Sequence, residues 1–273
     1  MNRANGLRRA ALVLASLLLL PSAAGCGHRD VPGPQRLRVQ VLDRIPHDPA
    51  AFTEGLTLVD GLGGTLYEST GLVGQSSVRT LDPRTGAVRH RVDVDVDGVF
   101  GEGVAVAGER LFQLTWQDHL VIERDPATLR ERRRFPLAAA AEGWGACFDG
   151  TRILTSDGTA RLTVRDPITF APRGQVDVHD AAGAVNGLNE LDCAPDGQLW
   201  ANVFPTDRLV RIDAGSGLVT GEADLDDLHR QAGLDDPDAV PNGIAVVPHT
   251  DTALVTGKRW PQILLVRLSP EQP

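Results

Sequence analysis

The residues of this chain best equipped for chemistry stand at glycine-flanked loop closings. Val99-Phe100-Gly101-Glu102-Gly103-Val104 places a carboxylate between two glycines, and Leu111-Phe112-Gln113-Leu114-Thr115-Trp116 follows as a second apolar run. Glycine lets the backbone take φ > 0 and approach a ligand closely, so Glu102 can be presented at the start of a strand. The layout recurs. Phe52-Thr53-Glu54-Gly55-Leu56 leads to Thr65-Leu66-Tyr67-Glu68-Ser69-Thr70-Gly71, and Gly143-Trp144-Gly145-Ala146-Cys147 leads to Arg152-Ile153-Leu154-Thr155-Ser156-Asp157-Gly158. Asn189-Glu190-Leu191-Asp192-Cys193 leads to Gln198-Leu199-Trp200-Ala201-Asn202-Val203, and Asn242-Gly243-Ile244-Ala245-Val246 leads to Ala253-Leu254-Val255-Thr256-Gly257-Lys258. The openings supply Glu54, Glu102, Trp144, Asn189 with Glu190, and Asn242; strand ends add Trp116, Phe204 and Lys258. Carboxylates held beside aromatic rings suit proton transfer, whereas carboxylates and asparagines round a channel would suit a metal. Plainer readings stand beside both. Glu54 and Glu190 could cap turns or pair with buried polar groups, Trp116 and Trp144 could be core, and Lys258 could be a solvated surface cation.

The elements that must position these residues follow from the repeat. Copies spaced by roughly 40 to 55 residues point to propeller blades or an array. No helical period persists after residue 36. Short alternating runs recur instead, such as Val92-Asp93-Val94-Asp95-Val96 and Leu120-Val121-Ile122-Glu123-Arg124, which read as strands. Asp82-Pro83, Asp125-Pro126, Asp166-Pro167 and residues 213–217 mark turns late in the repeats, because proline presets φ and aspartate hydrogen-bonds the backbone beyond it. About four strands per repeat give an all-β expectation: a five-bladed β-propeller of four-stranded blades. Residues 37–42 precede the first repeat and the last one, ending at 263–268, is a strand short. The N-terminal strand is therefore expected to complete the last blade and close the ring. One helical insertion is expected over residues 224–233 with Leu225 and Leu228 inward, before a loop over one mouth of the ring.

Composition bounds the function. The 273 residues are 42% hydrophobic and 23% charged, with 29 glycines and one methionine, an ordinary globular balance suited to many tight turns. Residues 1–25 read as a signal: Arg3, Arg8 and Arg9 precede an apolar run over residues 10–20. Ala23-Ala24-Gly25-Cys26 resembles a lipoprotein box, with Cys26 as the lipidated residue and 26–35 as a tether. The expectation is an exported protein, either anchored in the cell envelope through Cys26 alone or periplasmic or secreted. Its catalytic domain would span residues 36–273 and act as a monomer. Removing residues 1–25 takes away three arginines and no acid, moving the formal charge from −9 to −12. Nucleic acid is excluded as a partner, since phosphate contacts need clustered cations. Glu131-Arg132-Arg133-Arg134 reads as a solvated turn or strand edge. Cys147 and Cys193 hold equivalent places in adjacent repeats, either bridged or as buried thiols, and no metal-type spacing occurs. No cofactor and no metal are expected.

Taken in order, these stretches resemble the plant-type glutaminyl-peptide cyclotransferase family, which includes the bacterial glutamine cyclotransferases. The matches also take in Gln113-Leu114-Thr115-Trp116, Thr169-Phe170, Leu188-Asn189-Glu190-Leu191, Thr206-Asp207 and Trp260-Pro261. The resemblance implies a five-bladed propeller that converts the N-terminal glutamine of peptides to pyroglutamate and releases ammonia without a catalytic zinc. It places the catalytic glutamate on Glu102, further catalytic groups on Asn189 and Lys258, and substrate contacts on Phe52, Glu54, Phe100, Trp116 and Trp144. Phe204 stands where the family usually has tryptophan, which keeps an aromatic wall and loses an indole N–H. In this chemistry the α-amine attacks its own side-chain amide carbon, and a desolvated glutamate carries the proton to the leaving nitrogen. Asn189 or Lys258 would stabilise the oxyanion. The rival readings are a metal-dependent, lactonase-like propeller hydrolase and a non-catalytic binding propeller.

Overall fold

The computed structural model describes residues 33–94 and 98–271. The leader, Cys26 and most of the tether lie outside these residues, as do positions 95–97. The long strand β1 (Gln35–Pro46) comes first. Four antiparallel groups of four strands then follow in chain order, the first three as separate sheets and the fourth as half of an eight-stranded one. The first holds β2 (Thr53–Val59), β3 (Thr65–Thr70), β4 (Ser77–Leu81) and β5 (Val88–Asp93). The second holds β6 (Gly101–Ala107), β7 (Arg110–Thr115), β8 (Leu120–Arg124) and β9 (Glu131–Pro136). The third holds β10 (Ala146–Phe148), β11 (Ile153–Thr155), β12 (Arg161–Arg165) and β13 (Pro172–Asp177), trailed by a small hairpin of β14 (His179–Asp180) and β15 (Gly183–Ala184). The fourth holds β16 (Leu188–Cys193), β17 (Gln198–Val203), β18 (Arg208–Asp213) and β19 (Val219–Asp224). After α1 (Asp226–Ala232) come β20 (Pro241–Val246), β21 (Thr252–Gly257) and β22 (Gln262–Pro270), with β1 as their fourth strand.

Turn chemistry sets the third-to-fourth strand connections. One carboxylate oxygen of Asp82, Asp125 and Asp166 accepts two backbone N–H groups of its own turn. The other oxygen of each takes an arginine at the start of the next strand: Arg89, Arg132 and Arg173. The basic cluster at residues 131–134 forms the exposed edge strand β9, where Arg132 pairs with Asp125 and Arg133 with Glu123. The helix is shorter than expected at both ends, but Leu225 and Leu228 are buried as the sequence implies. Among the described residues no helix is long and apolar enough to cross a membrane.

The apolar core is not one mass but a series of layers between neighbouring sheets. Tyr67 and Val78 of the first sheet meet Val104 and Leu111 of the second. Phe112 and Val121 meet Ile153 and Phe170, and Leu154 and Leu162 meet Leu199 and Val210. Trp200 and Leu209 meet Val255, Trp260 and Leu264, while Leu254 and Ile263 return to Leu56 and Leu66 of the first sheet. The first strands touch in the same cyclic order, β2 with β6, β6 with β10, β10 with β16, β16 with β20, and β20 with β2.

Glycine makes three of these approaches possible. A Cβ on Gly55 would fall 2.6 Å from Val104 N, one on Gly103 2.4 Å from Trp144 O, and one on Gly145 2.1 Å from Asn189 O. Glu190 occupies the corresponding place in the fourth repeat. Its carboxylate reaches to the free backbone of two other first strands, accepting Leu56 N–H at 3.0 Å and Ile244 N–H at 2.8 Å. Glu190 is thus a buried strut, the plainer of its two sequence readings. Cys147 of β10 and Cys193 of β16 are joined by a disulfide, which settles the alternative left open by the sequence.

β1 pairs antiparallel with β22 from Leu37↔Pro270 to Pro46↔Gln262, longer than the six-residue strand expected. It also runs parallel to β19 over Gln35–Leu37, so the fourth sheet and the last one are continuous through it.

Candidate active site

Each functional side chain is placed by a local irregularity of the repeat. The register of β2 slips between Thr53 and Gly55, of β6 between Gly101 and Val104, of β16 between Leu188 and Leu191, and of β20 between Pro241 and Ile244. A bulge adds a residue outside the ladder and re-aims a side chain. The residues inside these four bulges are Glu54, Glu102 with Gly103, Asn189 with Glu190, and Asn242 with Gly243. Backbone rungs then tie the end of each second strand to the opening of the first: Gly71 N–H to Phe52 O at 2.7 Å, Trp116 N–H to Phe100 O at 3.0 Å and Phe204 N–H to Gly187 O at 2.7 Å. Lys258 N–H reaches Val240 O at 3.1 Å in the same manner.

The result is convergence. Glu102, Asn189, Lys258, Phe52, Glu54, Phe100, Trp116, Trp144 and Phe204 all line one cavity of about 270 Å³. Two candidates do not: Glu190, the strut, and Asn242, fully buried, which donates its amide to Glu54 Oε2 at 2.8 Å and Thr53 O at 3.0 Å. A larger cleft of about 450 Å³ between Trp200, Arg211 and His249 carries no buried carboxylate.

The walls are aromatic. Phe100 lies edge-on between Phe52 (centroids 6.1 Å apart) and Trp116 (5.7 Å), and Trp144 meets Phe204 edge-on at 5.7 Å. Gly71 leaves the room that Phe100 fills, since a Cβ there would sit 2.3 Å from the ring. Lys258 Nζ lies over the faces of Phe52 (4.7 Å) and Phe204 (5.5 Å), so the phenyl ring at 204 serves the ammonium as a cation–π surface. The same ammonium is 2.9 Å from Glu54 Oε1. Lys258 is therefore a partnered, nearly buried cation, not a surface one.

The two carboxylates of the cavity differ. Burial pushes Glu54 up to about 7, with Lys258 and Asn242 working against the shift. Burial drives Glu102 well above the ordinary range, the neighbouring Glu54 and then Glu142 add to that, and Lys258 opposes it. Glu102 has no hydrogen-bond or ion-pair partner among the described residues, and the buried Oδ1 of Asn189 likewise has none. Buried polar atoms without partners are uncommon; the Asn189 oxygen is one, and with Glu102 it lines a cavity sized for a small ligand.

Three contributors were missed by the sequence reading. Leu72 lines the cavity at a left-handed φ of 77°, held by Gln75 and Ser76 N–H groups on its carbonyl. Asp238 comes from the loop after α1, which was expected over a mouth, and that loop is pinned by Arg259–Asp236 and by Trp260 Nε1–H to Ala239 O. Glu142 accepts both indole N–H groups, from Trp116 at 2.7 Å and Trp144 at 2.8 Å. Its position two residues before Trp144 was the available signal. Among the described residues no group of three or more His, Cys, Asp or Glu is placed to hold a metal ion.

A glutamine cyclotransferase family model matches residues 11–268. The chain belongs to the glutamine cyclotransferase family. Within it, an Arabidopsis thaliana protein named glutaminyl-peptide cyclotransferase is 37% identical over 236 residues, covering 84% of this chain and 71% of the relative. The crystal structure of Myxococcus xanthus glutaminyl cyclase is 34% identical with a TM-score of 0.79, covering 88% of this chain and all of that one. The family resemblance drawn from the motifs thus agrees with the whole-chain comparisons.

Proposed function

We propose that this chain converts the N-terminal glutamine of peptides and proteins to pyroglutamate and releases ammonia in the aromatic cavity. The observation that carries the reading is the gathering of eight residues, scattered from Phe52 to Lys258, round the buried carboxylate of Glu102. Relatives named for this activity support it. The α-amine, with an ordinary pKa of about 7.7–8.0, attacks the side-chain amide carbon as the free base. A C–N bond forms, and the former amide C–N bond breaks. Protonated Glu102 gives its proton to the departing nitrogen and regains one from the ring nitrogen, so no net proton is consumed. Phe52, Phe100, Trp116 and Trp144 hold the folded rotamer that makes the attack productive. The Asn189 amide, with its oxygen unpartnered, has capacity for the substrate. Lys258, already paired with Glu54, is better suited to fixing that carboxylate than to meeting the oxyanion.

The test is ammonia release from a Gln-initiated peptide by EDTA-treated protein, with an Ala-initiated peptide as control. Metal-independent release supports the cyclase; hydrolysis of a lactone or ester restored by metal supports the rival hydrolase, and silence on both supports a binding role. Engagement of Glu54 by Lys258 and Asn242 favours the first outcome.

We also read the sheets as five propeller blades closed by β1, supported by the cyclic order of strand contacts and by the cores between successive sheets. The leader and lipoprotein box support export, with anchoring through Cys26 and a monomeric soluble domain. Cys26→Ser should move the protein from the membrane to the soluble fraction, since acyl chains would supply the attachment; an unchanged membrane fraction would sink the anchor.

A further inference from the structure

We propose that Glu142 is a positioning residue for the reaction: its carboxylate clamps the indoles of Trp116 and Trp144, which come from different sheets, and so sets the width of the cavity between them. The proposal rests on the reading of this cavity as the glutamine site. Trp116 follows β7 and Trp144 precedes β10, so no shared element fixes their separation. Trp116 is 38% exposed, and packing alone leaves such a ring free to turn toward water. An indole N–H is a donor only. Glu142 Oε2 accepts both of them, at 2.7 and 2.8 Å, and Oε1 accepts Gln117 Nε2–H at 2.9 Å. Bonds to an ionised acceptor are the shorter and stronger kind. Partial burial pushes the Glu142 carboxyl up, but these three donors outweigh it and hold it below the ordinary range. The backbone keeps the clamp in place: Gly143 N–H bonds Trp116 O at 3.0 Å, and Leu137 N–H bonds His119 O at 2.7 Å.

The clamp has an electrostatic side. The charged groups acting on Glu102 are Glu54 from β2, Lys258 beyond β21 and Glu142; Asp238 also lines the cavity at its mouth. The Glu142 anion thus disfavours ionisation of Glu102 while its oxygen holds the walls. Two substitutions separate these effects. Glu142→Gln keeps an oxygen that can accept both indoles, with Gln117 turning its own amide to match, and loses the charge. Glu142→Asp keeps the charge and is a methylene too short to reach both rings.

The experiment uses the full chain and reads the tryptophans directly, without substrate. Acrylamide quenching in E142A and E142D should rise above wild type, because Trp116 is released while Trp200 and Trp260 stay buried; E142Q should quench like wild type. On a Gln-initiated peptide, E142A and E142D should lose about 10²-fold in kcat/KM, the scale of a misplaced wall, with much of it in KM. E142Q should keep most of kcat/KM, and its alkaline limb should move to lower pH. Wild-type quenching in E142A and E142D overturns the clamp whatever the activity. An unmoved limb in E142Q overturns the electrostatic side. If wild type makes no ammonia, the functional reading fails and the quenching series still decides the clamp.

Discussion

Glu54 and Glu102 are sealed into the same cavity, and their neighbours give them different tasks. Glu54 is held by an ammonium and an amide, whereas Glu102 has no such partner and, on the proposed reading, is left for the substrate. Glu102→Gln should therefore lower kcat by about 10²–10⁴-fold, the range of general acid–base catalysis, with little change in KM. Glu54→Gln should cost less in kcat and more in KM, because it loosens Lys258. Steady-state ammonia release measures both; an active Glu102→Gln beside a dead Glu54→Gln reverses the roles. The pH profile carries the same logic. kcat/KM should rise as the substrate amine loses its proton and fall as Glu102 ionises, and Glu102→Gln should abolish the falling limb alone. At this scale the sequence was legible wherever a polar residue sat between glycines at a repeat opening. It could not separate Glu54 from Glu190, since both are a carboxylate before a strand; what distinguishes them is whether lysine or two backbone N–H groups face the carboxylate. Leu72, Asp238 and Glu142 lie in loops whose course is set by tertiary contacts.

The first strands of the sheets carry buried polar residues of the site. Four of the five slip register at a bulge, and carboxylates of the fourth repeat reach the backbone of two others: Glu190 serves Leu56 and Ile244, and Asp192 accepts Val246 N–H at 2.7 Å. Burial raises Asp192 from 3.8 to about 7. The sign follows from linkage. A carboxyl with a folded-state pKa above its unfolded value binds its proton more tightly when folded, so stability is greatest below about pH 4 and is lost as pH rises toward 7. Asp192→Asn retains an oxygen for Val246 and removes the buried charge. Its melting temperature should therefore gain on wild type between pH 5 and pH 8, and a constant difference across that range would show that Asp192 stays ionised. The repeat and its turns were readable because aspartate and proline have local reasons to sit there. The bulges were not, because a slip of register depends on which strand lies alongside.

Across the whole molecule, stability is spread over layers between sheets, and each layer needs both of its neighbours. Among the described residues β1 is the strand that joins the ladders of the fourth sheet and the last, since it pairs with β19 on one side and β22 on the other. Deleting residues 36–43 should unzip both pairings, expose a free edge and lower the melting temperature by many degrees; an unchanged melt would show that the other interfaces close the molecule without it. The sequence foretold the pairing with β22 from a missing strand in the last repeat, but not the parallel stretch with β19. That second partnership also sets the order of events at the ribosome. β1 is made long before either strand that holds it, β19 first and then β22, and Glu271 N–H can meet Arg36 O at 3.0 Å only once β22 has been made. Contacts of such long sequence separation form late, because the intervening chain must first be brought to order. The nascent domain therefore stays open at one seam until its final strand appears.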